Sequence, residues 1–274
     1  MNESTLPRPD QVALALRKIP STLSADGLSL HHSFVSPSEA TSILEYLDEQ
    51  PWDDTIKRRT QHYGRRFDYQ TKSVDDGTSP TPSLPPCIAS LVDRLLAADP
   101  PLVQWDPLNR GAIQVTVNEY VPGVGIASHV DTHSAFGDGL CSLTLGAGVT
   151  FRLQREGSED CNLWLPPCSL LVMTGAARYA WKHSIGGRRY DRVEAEAGAS
   201  ESVDCGGEGY AWVQRSRRVS ITLRLVLDGG CCRCAWPQLC DSQGGAPIAL
   251  PTRLAPTTED APSAAAPAPP PAAG

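Results

Sequence analysis

The 274-residue sequence has no run of about 18 consecutive apolar residues, so no transmembrane helix is expected. No long apolar stretch follows MNESTLPRPD, so no signal peptide is expected. A soluble protein without a membrane partner is the expectation, cytoplasmic with the nucleus as a second compartment. Positive charge is not in excess: the formal net charge is −7, which speaks against a large nucleic-acid-binding surface. The cysteines do not form an even set. Nine thiols in a chain of intracellular character make a disulfide framework a poor default and metal binding a better one. No internal repeat is visible, which leaves out solenoids and propellers.

The organisation follows from composition. APTTEDAPSAAAPAPPPAAG, at the end of the chain, is rich in Pro and Ala and reads as disordered, so residues 244–274 are taken as a tail. Residues 1–27 form a polar, partly disordered extension in which QVALALRKI (11–19) could make a short helix. Residues 28–243 remain, roughly the size of one single-core domain. In SPSEATSILEYLDEQ, Ser36 fits an N-cap, Pro37 the first helical position and Glu39 a capping box; Ala40, Ile43, Leu44 and Leu47 make one stripe. CIASLVDRLLA (87–97) predicts a second helix. Beyond residue 110 the period changes to two: GAIQVTVNEY, LCSLTLG, VTFRLQ, SLLVMTG, RYAWKHS and RVSITLRLVL read as short strands. The expected fold is α+β and mainly β, a jelly roll with N-terminal helices packed on it.

HVDTH (129–133) places His129, Asp131 and His133 at alternate positions. In a strand, residues two apart lie about 7 Å apart on one face, whereas residues four apart lie about 13 Å apart. His129 and Asp131 can therefore share an ion, and His133 can join them only if the chain turns. A third ligand must come from elsewhere, and His183 in RYAWKHSI is the candidate. Two histidines and a carboxylate with open positions opposite form the facial triad of non-haem Fe(II) oxygenases. RVSITLR (218–224) turns Val219, Ile221 and Leu223 to a core and Arg218, Ser220, Thr222 and Arg224 to the other face. Two arginines on that face could receive a dicarboxylate, and Asn118 and Tyr120 in NEY offer polar partners. A metal triad beside such a pocket implies 2-oxoglutarate as co-substrate.

Asn-x-Tyr, His-x-Asp, a distal His and Arg-x5-Arg, in this order, resemble the AlkB family of Fe(II)/2-oxoglutarate dioxygenases. NEYVPGVGIASHVDTHSAF, SLLVMTGAARYAWKH and CRCAWPQLCDSQ resemble its tRNA wobble-uridine hydroxylase branch, over about residues 28–243. The resemblance implies a double-stranded β-helix with Fe(II) held by His129, Asp131 and His183. It implies 2-oxoglutarate bound by Arg218 with Asn118 and Tyr120 assisting and Arg224 near the metal, and dioxygen as the second co-substrate. It further implies a zinc ion, Zn(II), on His133 and three cysteines of C-x-C-x5-C: Cys232, Cys234 and Cys240, with Cys231 as the alternative to Cys232. The implied reaction hydroxylates the methoxycarbonylmethyl group of a wobble uridine. KRRTQHYGRRFDY (57–69) falls where the family has its nucleotide-recognition lid, which makes Arg58, Arg59, Tyr63, Arg65 and Arg66 candidates for substrate contact.

Two departures from the branch bear on partners. Neither an RNA-recognition motif nor the Gly-rich loop of a methyltransferase is found in the sequence. The expected partners are therefore tRNA and a separate methyltransferase or RNA-binding protein. EAEAGASESVDCGGE (194–208) reads as a flexible acidic insertion. Three functional readings stand at this point: a tRNA hydroxylase, which the motifs favour; an oxidative demethylase of alkylated DNA or RNA bases; and a catalytically silent, zinc-stabilised binding or accessory protein. Protein hydroxylation is a fourth.

Overall fold

Alternation of apolar and polar side chains decides what each strand covers. The computed structural model describes residues 19–68, 71, 73, 74, 81–194, 210–227, 229 and 231–244. The expected helix at 11–19, the acidic insertion and the tail lie outside the described residues, apart from their terminal residues Ile19, Glu194 and Gly244. In chain order the elements begin with α1 (Ser21–Ala25), β1 (Leu28–His31), α2 (Pro37–Glu49), β2 (Thr60–Gly64), β3 (Phe67–Asp68), β4 (Ser73–Val74) and α3 (Pro86–Leu96). The β-rich part comprises β5 (Ile113–Tyr120), β6 (Ile126–His129), β7 (Phe136–Gly146), β8 (Val149–Gln154), β9 (Cys161–Leu165) and β10 (Leu170–Met173). It continues through α4 (Gly175–Tyr179), β11 (Lys182–Ile185), β12 (Tyr190–Glu194), β13 (Tyr210–Gln214) and β14 (Arg218–Val226).

Two antiparallel sheets make the jelly roll. The larger has the order β1-β10-β7-β14-β5-β2 and the smaller β6-β11-β8-β9. One face of the larger sheet meets the helices: Val115, Val117, Cys141, Leu143, Leu145, Val219, Ile221 and Leu223 pack with Ile43 and Leu47 of α2 and Ile88, Leu91, Val92 and Leu95 of α3. Truncating one of these side chains to alanine typically costs about 2–5 kcal/mol. The other face meets the smaller sheet, and Leu140, Leu171 and Met173 pack there against Val149, Phe151, Leu153 and Leu163. On β5 and β14 that inner face turns polar, with Thr116, Asn118, Arg218, Ser220 and Thr222 all buried. A buried polar stripe inside a jelly roll is costly unless it is partnered, which marks this stripe as a site rather than a core.

The helix start at Ser36 differs in part from its expected form. Ser36 Oγ accepts from the Glu39 amide at 3.1 Å and Pro37 occupies the first turn. The Glu39 carboxylate does not complete the box; it accepts from Arg94 Nη2 at 2.7 Å and Nη1 at 3.2 Å, which ties α2 to α3. A charge-assisted pair between helices outcompetes a neutral amide within one turn. β2 is a further difference: the cluster KRRTQHYGRR contains an edge strand of the larger sheet, paired with β5 from Thr60↔Asn118 to Gly64↔Gln114.

Candidate metal centre and co-substrate pocket

His129 closes β6 and stands opposite His183 of β11 in the antiparallel register. Their ring centroids lie 4.4 Å apart. The chain leaves strand geometry after His129, and the turn brings Asp131 Oδ1 to 3.4 Å from His129 Nε2 and 3.9 Å from His183 Nε2. One ligand atom from each of the three lies within 4.8 Å of the other two. His129 Nδ1 lies 2.7 Å from the Ala127 carbonyl, a contact that places the ring proton on Nδ1 and leaves the Nε2 lone pair for a metal. Burial pushes the His183 imidazole down to about 3, with the neighbouring His129 acting in the same direction, so the ring is neutral as a ligand must be. Phe151 stacks on it at 5.4 Å and 19°.

Asp131 is buried, and burial alone would raise its pKa. The Arg224 guanidinium outweighs that effect and holds the carboxyl well below the usual range. Arg224 Nε donates to Asp131 Oδ2 at 2.6 Å, while its Nη1 donates to Gln114 Oε1 at 3.0 Å. Arg224 therefore orients the carboxylate through one oxygen and leaves the other facing the imidazoles.

Arg218 occupies the opposite end of β14 and is 3% exposed. Its Nη2 donates to Thr144 Oγ1 at 3.0 Å, and its guanidinium lies 5.2 Å from the Tyr120 ring centroid. Nε and Nη1 are buried without a hydrogen-bond partner. Burial lowers the group to about 10, which leaves it a cation at neutral pH. A buried guanidinium with two donors unused is costly by itself, and a carboxylate with its two oxygens satisfies it. Asn118 of β5, paired with Ser220 of β14, accepts from Arg58 Nε at 2.9 Å. Asn118, Tyr120, Arg218 and Arg224 thus share one polar face, and the residues fit a dicarboxylate.

The cluster expected to contact substrate is placed differently. Arg58 is buried on Asn118. Arg59 donates to Glu119 at 2.6 and 2.8 Å and lies over Trp52. Tyr63 is 4% exposed, and its hydroxyl donates to Gln61 Oε1 at 3.0 Å. Arg65 is half-buried, whereas Arg66 is exposed and 3.8 Å from Asp53. The alternation of β2 explains the correction: Gln61 and Tyr63 are buried on the helix side, where Gln61 Nε2 donates to the Leu47 carbonyl at 2.8 Å. Of the five residues, Arg59 and Arg66 are exposed, each beside a carboxylate; Arg58 and Tyr63 belong to the interior. A cleft of about 700 Å³ opens beside β2, lined by Trp52, Asp53, His62, Tyr63 and Arg66 among others.

A second cluster lies just past the first. His133, Cys232, Cys234 and Cys240 each offer a ligand atom within 4.8 Å of the others. His133 Nδ1 is 3.4 Å from Cys234 Sγ. Cys232 is buried and belongs to the group; Cys231 is exposed. The segment carrying the cysteines has no helix or strand and is held by side chains. Cys232 N donates to Ser242 Oγ at 2.9 Å, Ser134 N donates to Asp241 Oδ1 at 3.0 Å, and Trp236 stacks on Tyr179 at 5.4 Å. Three sulfurs and one imidazole suit tetrahedral zinc and leave no open position. His133 and Asp131 thus serve different clusters because the chain turns between them.

Comparison with known proteins agrees with this geometry. Residues 27–224 match the family described as the 2OG-Fe(II) oxygenase superfamily. The chain is 35% identical over 225 residues to the Xenopus tropicalis tRNA (carboxymethyluridine(34)-5-O)-methyltransferase alkbh8, covering 79% of this chain and 34% of that protein. It is 35% identical over 244 residues to the Arabidopsis thaliana alkylated DNA repair protein ALKBH8 homolog, covering 82% of this chain and 65% of the relative. Similarity to the Caenorhabditis elegans DNA N6-methyl adenine demethylase is 30% over 197 residues, covering 69% and 65%. The chain therefore spans between a third and two thirds of these relatives. The solved structure of OsALKBH1 shares the fold, with a TM-score of 0.53 at 16% identity, covering 77% of this chain and all of that one.

Proposed function

We propose, on the premise that this chain belongs to the 2OG-Fe(II) oxygenase superfamily, that it hydroxylates a 5-methoxycarbonylmethyl group on a tRNA wobble uridine. The superfamily makes it a dioxygenase that uses Fe(II), 2-oxoglutarate and dioxygen. The observation that carries the choice of substrate is the likeness, over 79% of the chain, to a protein named for carboxymethyluridine at tRNA position 34. In this reading His129, Asp131 and His183 hold the iron. The iron and its two co-substrates supply the oxidation: one oxygen atom goes to succinate as CO2 leaves, and the other becomes the substrate hydroxyl. The chain's own residues prepare that chemistry. Arg218 takes the far carboxylate of 2-oxoglutarate with Asn118 and Tyr120 beside it, Arg58 fixes Asn118, and Arg224 keeps Asp131 ionised and aimed. Zinc on His133, Cys232, Cys234 and Cys240 stabilises the C-terminal segment.

The test is reaction of the purified protein with Fe(II), 2-oxoglutarate and total tRNA from a strain lacking the hydroxylase, followed by mass spectrometry of the nucleosides. Gain of one oxygen on methoxycarbonylmethyluridine is the expected result. Its absence, with 2-oxoglutarate still consumed, overturns the substrate. A second reading, oxidative demethylation of a nucleobase, is favoured by the 30% identity to the nematode DNA demethylase. Hydroxylation of an N-methyl carbon gives an unstable hemiaminal, so formaldehyde release from methylated oligonucleotides identifies that reading.

A further inference from the structure

Arg178 is 2% exposed, yet it appears in neither the iron triad nor the cysteine cluster. Its Nη1 donates to the Asp131 carbonyl at 3.0 Å, and its Nη2 donates to the carbonyls of Thr132 at 3.3 Å and Phe136 at 3.0 Å. Two of the acceptors belong to the loop between β6 and β7, and the third, Phe136, is the first residue of β7. That loop holds Asp131 of one cluster and His133 of the other. The guanidinium also lies 4.7 Å from the ring centroid of Tyr179, whose ring stands edge-on to His133 at 5.0 Å. A buried cation is expensive, and in an apolar helix position an uncharged residue would fill the space at less cost. The five residues of α4 are themselves anchored. Ala177 N donates to the Asp26 carbonyl at 2.7 Å, Gly175 N to Asp138 Oδ1 at 2.9 Å and, just beyond, Trp181 Nε1 to Asp26 Oδ2 at 2.8 Å. Gly27 completes the anchor: its φ is +96°, and a Cβ there would meet the Thr174 carbonyl oxygen at 2.4 Å.

We propose that Arg178 is a positioning residue that couples the two metal clusters. By holding two carbonyls of one short loop and tying them to the first carbonyl of β7, it sets Asp131 toward His129 and His183 while His133 turns to the cysteines. Movement of His133 on loss of zinc is transmitted through the clamped loop to Asp131. This inference rests on the two-metal reading given above. It adds a residue and a coupling to that reading.

The experiment compares the zinc-loaded wild type with Arg178→Met and Arg178→Lys. It measures zinc content, Fe(II) affinity, the visible band of the Fe(II)–2-oxoglutarate chelate, and melting temperature. Arg178→Met is expected to keep its zinc and to bind Fe(II) roughly 10–100-fold more weakly, the range for residues that orient metal ligands. Arg178→Lys keeps the charge without the fork and is expected to fall between the two. Stripping zinc from the wild type should weaken iron binding, and stripping it from Arg178→Met should add little further, because coupled sites are non-additive. A lower melting temperature with unchanged iron affinity and chelate band overturns the proposal, since a merely structural residue would behave so. Where Arg178→Met does not fold, wild-type iron affinity in Arg178→Lys overturns it. Wild type whose Fe(II) binding is insensitive to His129→Ala refutes the underlying iron site instead, so the two failures are distinct.

Discussion

The two clusters that could hold a metal meet in one pentapeptide, HVDTH, and differ in almost every physical respect. The triad of His129, Asp131 and His183 is carried by two paired strands and a turn, and it adjoins a polar face on which the Arg218 guanidinium keeps two donors unused. The group of His133, Cys232, Cys234 and Cys240 draws three of its four ligands from a segment without helix or strand. A three-ligand site on a rigid sheet keeps coordination positions for reactants. A four-ligand sulfur-rich site has none to spare and instead replaces the hydrogen bonds that a loop lacks. Proximity in sequence therefore says little about shared chemistry; the number of protein ligands and what supports them says more.

The comparison breaks first at the triad if it is mistaken. Asp131→Ala or His183→Ala is expected to remove turnover, by more than the roughly 100-fold associated with residues that only orient ligands, while zinc content stays at one per chain. Mass spectrometry of the product nucleoside and metal analysis check both halves. Cys234→Ala gives the reverse order of events: zinc is lost, and the melting temperature falls by at least about 5 °C, since each kcal/mol moves a domain of this size by about 2–4 °C. Retention of both zinc and melting temperature in Cys234→Ala would remove the second cluster from the comparison. Arg218→Met sharpens the first cluster by separating metal from co-substrate. Loss of a charge-assisted contact of about 1.5–3 kcal/mol should raise the 2-oxoglutarate requirement roughly 10–150-fold and leave Fe(II) affinity near the wild-type value. An unchanged 2-oxoglutarate KM would place the dicarboxylate elsewhere.

Much of the first cluster was legible because local pattern carries it. Alternation in RVSITLR separated Arg218 and Arg224 from Val219, Ile221 and Leu223, and Val219, Ile221 and Leu223 are at most 1% exposed. The residues that escaped are those defined by distant partners. Arg58 and Arg59 were expected to contact substrate, yet their partners Asn118 and Glu119 lie 60 residues on. Nothing in KRRTQHYGRR distinguishes a paired arginine from a free one. TQHYG shows no apolar/polar alternation either, so the strand there had no local mark. Arg178 was hidden for a similar reason. In GAARY it looks like an exposed helical cation, and only the return of the chain onto the segment 131–136 buries it.

The smallest expected effect concerns the thiol that the sequence could not separate from its neighbour. Cys231 and Cys232 are adjacent, and either satisfies a spacing rule loosely. The structure separates them by burial: Cys232 is 6% exposed within the cluster, with its amide on Ser242, while Cys231 faces solvent. Burial pushes the Cys232 thiol up to about 12, a cost that bonding to a cation removes, since a coordinating thiol is deprotonated outright. Cys231→Ser is accordingly expected to leave zinc content unchanged and melting temperature within about 2 °C, the scale of a surface substitution of at most ~0.5 kcal/mol. Cys232→Ser should behave like Cys234→Ala. If the two serine variants exchanged these outcomes, the zinc would sit one residue earlier, and the C-terminal segment would have to be threaded differently past His133. The triad would be untouched by that result, which is the sense in which the two clusters are independent in ligands even though one loop carries both.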